Sequence, residues 1–184
     1  MRVTTIAAVA VTTLFLIGTV AGAAEVPKIA VVDFQNILEN SNAGKAAQEI
    51  IKKEETRMES DLKKRGKEIE EIQKKLEAEF NILSQEKRTE KERDFRIKYN
   101  DFKSIQKDYQ RKLQELQGKQ LIRMQKEVLG VAKEIGKQKG YTLIIEKREA
   151  GILFAQDAID ITSMVIDYYN KAFAKKQKAG GGSN

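Results

Sequence analysis

The chain has no cysteine, no histidine and no tryptophan, and its one proline, Pro27, lies near the start. Without thiol or imidazole there are no disulfides, no cysteine nucleophile and none of the usual zinc ligand sets. Without tryptophan, stacking on nucleobases would fall to a few Phe and Tyr. With no proline between Ser41 and Gly140, nothing there forces a helix to stop. What the chain has is charge: 34 basic and 27 acidic side chains among 184 residues, a net +7.

The stretch from Ser41 to Gly140 is rich in Lys, Glu, Gln, Leu, Ile and Arg, mostly strong helix formers. Its apolar residues recur at alternating steps of four and three: Ile51, Met58, Leu62, Ile69, Ile72, Leu76 and Leu83. That spacing predicts the narrow seam of a coiled coil. Glu55, Arg65 and Glu79 interrupt it, so the packing is intermittent. Acid-then-base pairs four apart, such as Glu59/Lys63, Glu70/Lys74 and Glu115/Lys119, support helix on the wet faces. After Leu83 the seam stops in a polar run, and Thr89, three before Glu92, has the spacing of a capping box. The turn is therefore expected near 84–89. The seam resumes with Phe95, Tyr99, Phe102, Tyr109, Leu113 and Leu116. Past Gly118 it slips by one to Leu121, Met124, Val128, Val131 and Ile135, which predicts a bend or a change of partner. The expectation is a helical hairpin over 45–139.

Before the arms, residues 1–23 hold one charge, Arg2, then an apolar run and Ala21-Gly22-Ala23. This is the layout of a cleaved secretory signal peptide, and the alternative is an uncleaved membrane anchor. Ile29-Ala30-Val31-Val32 reads as a buried strand, with Asp33 capping a short helical stretch, and Ser41-Asn42 offers the next cap. Beyond the arms, Gly140 suits a helix C-cap. Tyr141 to Glu146 is expected as a second strand and Ile152 to Ala155 as a third, paired with it as a hairpin. Asp160 then caps a last amphipathic helix that buries Ile161, Met164, Val165, Tyr168 and Phe173. Residues 179–184 are expected to be disordered.

The fold class is thus α+β, predominantly α. Its body comprises 24–44 and 140–178, near 60 residues, marginal for an independent core without disulfide or metal. Its strands are nearly all apolar, through Ile29, Val31, Val32, Leu143, Ile144, Ile145, Leu153 and Phe154. Several copies sharing these residues in one sheet would meet both difficulties.

No enzyme chemistry stands out. Gly44-Lys45 lacks the upstream glycine of a phosphate loop, and Gly130…Gly136-Lys137-Gln138 has the wrong spacing and no Ser or Thr after the lysine. Asp157 and Asp160 fit turn and cap positions. The basic residues alternate with acids along helices and do not gather on one surface, which argues against nucleic acid.

Two features suit loose binding of other polypeptides. Phe80, Ile82, Leu83, Phe95, Tyr99 and Phe102 near the tips outnumber what one seam needs; they either pack within the hairpin or face a cavity. Residues 81–112 hold ten basic side chains against six acidic, with Lys87, Arg88, Lys91, Arg93, Arg96 and Lys98 closest to the tip. Such an excess attracts acidic polypeptides and anionic lipid headgroups.

A signal-peptide layout, Ile29-Ala30-Val31-Val32-Asp33, Ser41…Gly44-Lys45, a long charged hairpin, Tyr141-Thr142-Leu143-Ile144-Ile145 and Asp160-Ile161-Thr162 follow in that order. The arrangement resembles the Skp/OmpH family of periplasmic chaperones. The resemblance implies a homotrimer whose strands form a small barrel and whose arms enclose a cavity. It implies ATP-independent holding of unfolded outer-membrane β-barrel proteins in the periplasm, with no cofactor. Anionic lipid or lipopolysaccharide headgroups stay open as further partners, on the basic excess alone. The basic, glycine-rich run from Ala172 to Asn184 departs from that pattern. The competing expectation is a periplasmic coiled-coil spacer or adaptor.

Overall fold

The computed structural model describes residues 26–180; the expected signal peptide and the last four residues lie outside them. In chain order the elements are β1 (Ile29–Val32), α1 (Phe34–Asn40), α2 (Asn42–Glu79), α3 (Gln85–Lys139), β2 (Leu143–Glu146), a short 3-10 turn (Asp157–Ile159) and α4 (Thr162–Gly180). The fold is α+β and mostly helix, as the residue pattern predicts.

α2 and α3 are the arm. At 1.5 Å per residue their 38 and 55 residues span about 57 and 82 Å. Seam residues Ile51, Leu62, Ile69, Ile72 and Leu76 of α2 are half-buried, as are Phe95, Phe102, Leu113 and Leu116 of α3. Of the seam named above between Ile51 and Leu116, Met58 alone is fully buried. Of the expected acid–base pairs, Glu70–Lys74 closes at 2.6 Å. Asp108 and Glu115 turn instead to Arg111, and Arg65 and Arg57 pair with Asp61 and Glu54. Each of these pairs has at least one solvent-exposed partner, so water screens them.

The turn between the arms differs from expectation. It occupies residues 80–84, and α3 starts at Gln85 with Ser84 as N-cap. Thr89 lies a turn inside the helix, its hydroxyl donating to the Gln85 carbonyl at 3.0 Å. The polar run 85–88 is made of good helix formers, and Ser84 had already supplied the cap.

The body is built where the arms meet. β1 and β2 pair in parallel, with Ile29 opposite Leu143 and Val32 opposite Glu146, so the whole arm is the crossover between two neighbouring strands. The third strand does not form within the chain. Residues 152–156 are without regular structure, and Leu153 is fully exposed. The flank of β1 where a third strand could pair is met by an isolated bridge from Val31 to Asp160.

α4 covers the root of the arm. Met124, Val128, Val131 and Ile135 of α3 pack with Ala43 and Ala47 of α2 and with Val165 and Tyr169 of α4. The slip after Gly118 is thus a change of partner: α3 leaves the α2 seam and enters the body core. Tyr169, which the sequence pattern passes over in favour of Tyr168, is among the largest fully buried side chains. Gly140 ends α3 in the left-handed conformation at φ 69°.

Candidate functional site

Two surfaces are in question: the free end of the arm and the open face of the body. The first depends on how the tip is built. Leu83 is half-buried and Ile82 is 82% exposed at the turn. Arg88 reaches back, donating from Nη2 to the Leu83 carbonyl at 3.1 Å with its guanidinium 4.4 Å from the Phe80 ring centre. Lys91 forms an ion pair with Glu79 across the hairpin. Two of the basic residues named for the tip therefore brace the turn, while Lys87, Arg93, Arg96 and Lys98 face water.

The aromatic residues divide similarly. Phe95 and Tyr99 stack along α3 with ring centres 6.0 Å apart. Phe102 lies against α2 where Gly66 leaves room; a Cβ there would stand 3.9 Å from its ring. Phe95 and Phe102 are half-buried, whereas Phe80 and Tyr99 are about two-fifths exposed. The exposed apolar surface of the tip thus comes mainly from Ile82, Phe80 and Tyr99, together with Ile97, which the seam pattern omits and which is 52% exposed.

The body divides its strand residues between inside and outside. Val31 and Val32 are buried in the chain itself. Ile144 and Ile145 are half-buried, and Ile29 and Leu143 are 41% and 49% exposed. Leu153 and Phe154 stand in solvent on the irregular segment 152–156. Beside β2 a groove of 660 Å³ opens toward α3, lined by Leu143, Ile144, Leu129, Ala132 and Tyr141 among others. Large apolar groups are left outside while a concave apolar surface stands open.

A polar lattice locks the sheet to the helices, and sequence reading finds only parts of it. Asp33 caps α1, accepting from Asn36 N–H at 3.0 Å, and also receives Arg148. Its own N–H donates to Thr162 Oγ1, and that hydroxyl donates to Asp160. Glu146 accepts from Phe34 N–H and Glu149 N–H. Burial opposes ionisation of Asp33, but Asn36 N–H and Arg148 outweigh it and hold the carboxyl below its usual range. For Asp160, burial is likewise overcome, by the Thr162 hydroxyl and N–H and by Lys147. On the other side of α4, Glu127 accepts from Tyr169 at 2.7 Å and Lys176 at 2.9 Å. Burial, then Glu127, pushes the Tyr169 phenol far up, while Tyr169 and Lys176 outweigh burial to lower Glu127. The motif residues Asp33 and Asp160–Thr162 are thereby joiners of elements, and their carboxylates are occupied by structural partners.

These features define a class: a two-helix arm raised on a small mixed body with much of its apolar surface uncovered. The family model for OmpH, outer membrane protein (OmpH-like), matches residues 28–169, and the chain belongs to that family. A crystal structure from Caulobacter crescentus CB15, presented as an OmpH-like outer membrane chaperone whose role is unproven, shares the fold at a TM-score of 0.75. The identity is 16%, with 80% of this chain and 86% of that chain covered. No curated protein matches the chain. Among the described residues no helix is long and apolar enough to cross a membrane, and no group of acidic residues could hold a metal ion.

Proposed function

We propose that the protein is an ATP-independent periplasmic holdase that keeps unfolded outer-membrane β-barrel proteins from aggregating in a cavity between the arms of a homotrimer. The observation that carries this reading is the pairing of a long, shallowly packed arm with a body that leaves Leu143, Leu153 and Phe154 in water. A two-stranded sheet of four residues per strand is too small to stand as a body by itself. Segment 152–156, which joins no strand within its own chain, could add to a neighbouring copy's sheet, which would place Ile29, Leu143, Ile144, Ile145, Leu153 and Phe154 between copies. The arms would then hang from a common base.

Such arms suit a client with no fixed shape. Their seam is half-buried along most of its length, so few contacts resist bending. Ile82, Phe80 and Tyr99 offer apolar contact, while Lys87, Arg93, Arg96 and Lys98 draw in acidic chains or anionic headgroups, lipopolysaccharide included. Many weak contacts hold a chain without imposing a conformation on it. Export by residues 1–23 places the protein where such clients pass.

The test is dilution of a urea-unfolded β-barrel protein into buffer with and without the mature protein. Suppressed light scattering near one trimer per client is expected. Undiminished aggregation at severalfold excess would favour the spacer or adaptor role.

A further inference from the structure

We propose that the flank of α3 nearest the body is a docking strip for acidic polypeptide segments with one apolar face. The strip itself is read from the helix; the identity of its occupant as a held client rests on the holdase reading. Gly118, Ile122, Gln125, Leu129, Ala132 and Gly136 recur at steps of four and three, which sets them in one line along the helix. The core-facing set from Met124 to Ile135 follows a different line, about a third of a turn away. The chain's own fold uses the second line and leaves the first open. Ile122 is 67% and Leu129 56% exposed. The lower half of the strip forms one wall of the 660 Å³ groove beside β2.

Charge selects the occupant. Lys119, Lys126 and Lys133 follow one another at seven-residue steps beside the strip, on its side away from the core. None of the three is in an ion pair among the described residues. Of the acids nearby on the helix, Glu127 is engaged with Tyr169 and Lys176 and Glu134 with Gln138. Glu146 and Glu149 line the groove beside β2, which Lys133 and Lys137 also line, so the cationic row acts mainly along its Lys119–Lys126 half. An apolar line with a parallel row of cations matches a segment that carries aliphatic side chains on one side and carboxylates on the other. Two copies joined through this same face would bring no row of acids to the lysines, so the face is poorly suited to pairing with itself. From Gly118 to Gly136 the strip is about 27 Å long, room for about eight residues of extended chain. This puts a principal contact at the root of the arm and not at its tip.

The experiment uses the full mature protein and two fluorescein-labelled nine-residue peptides, one alternating valine with aspartate and one alternating valine with lysine. Fluorescence anisotropy should show the aspartate peptide binding at least about tenfold more tightly than the lysine peptide. Ile122→Ser with Leu129→Ser should weaken the aspartate peptide by about tenfold or more. Lys119→Glu with Lys126→Glu and Lys133→Glu should reverse the preference between the two peptides. Unchanged binding in both variants, or equal affinity of the wild type for the two peptides, overturns the proposal. A changed solution mass in the Ile122→Ser/Leu129→Ser protein also overturns it, because the strip would then be a contact between copies. The aggregation assay separates the two readings. Peptide binding with the expected reversal but no suppression of aggregation would retain the strip and reject the holdase. Suppression of aggregation with indifferent peptide binding would do the opposite.

Discussion

Tyr109 of α3 donates its hydroxyl to Asp61 of α2 at 2.8 Å, a polar stitch midway along a shallow, mostly apolar seam. Asp61 also receives Arg65 at 2.7 Å, and the arginine first, then the tyrosine, hold its carboxyl below the usual range. A hydrogen bond to an ionised acceptor is stronger than a neutral one, and here it ties the two helices midway along their length. Tyr109→Phe keeps the ring in the seam and removes only the stitch. Amide hydrogen exchange at 55–65 and 105–115 is expected to quicken severalfold while exchange in the body is unchanged. If those segments exchange at the wild-type rate, the arm owes nothing to this bond.

The corner between α1 and α2 is the tightest point of the fold. Ser41 is buried and accepts from Gly44 N–H at 3.1 Å, closing the cap of α2. A Cβ on Gly44 would stand 1.8 Å from the Leu38 carbonyl oxygen, a backbone atom that cannot swing aside. Gly44→Ala should therefore destabilise the body by about 3 kcal/mol or more. A thermal melt would register this as a large fall in Tm, and a near-wild-type melt would mean that α1 moves freely.

The hairpin, the caps at Asp33 and Ser41, the left-handed Gly140 and the change of partner after Gly118 were all legible in the residue pattern. Each rests on local chemistry: spacing on a helix, a side-chain oxygen near a free N–H, a residue without Cβ. What stayed hidden depends on meetings distant in sequence. Nothing local says that β1 pairs with a strand more than 100 residues away, or that Asn42 N–H finds Asn170 at 2.7 Å. Ile152 to Ala155 has the composition of a strand, but beyond the Ile152 N–H bond to the Lys147 carbonyl at 2.9 Å no ladder forms in its own chain, so composition and hydrogen bonding disagree there. Tyr168 and Tyr169 carry the same composition signal, and only packing against α3 decides between them. The strip from Gly118 to Gly136 is faint in the sequence because glycine and alanine carry little hydrophobic signal and a stronger stripe lies on the adjacent face.

Acid should act on the body through three carboxylates. Asp33, Asp160 and Glu127 each have a pKa lowered in the folded chain. The unfolded chain then binds more protons than the folded one across that range, so stability rises with pH. The contribution is complete above the unfolded carboxylate values, about pH 4, and is lost as pH falls through the lower folded values. Melts should accordingly show a Tm that is level near neutrality and drops below about pH 4. In Asp33→Asn/Glu127→Gln/Asp160→Asn the baseline is lower and the drop is smaller. An acid-induced drop as steep in that triple variant would place the sensitive groups elsewhere.

The assembly itself is the most exposed part of the proposed function, and Leu143 tests it cleanly. Its side chain is about half in water within one chain, so a charge there leaves the body core of Val165, Tyr169 and Ile135 intact. Placed between copies, the same charge would be buried without a partner and cost several kcal/mol. Leu143→Asp should thus keep its helical circular dichroism while its solution mass falls from three chains to one. Val32→Asp differs, because Val32 is only 7% exposed in the single chain and its replacement should unfold the body outright. A Leu143→Asp protein that still sediments as three chains would mean that the copies meet through another surface.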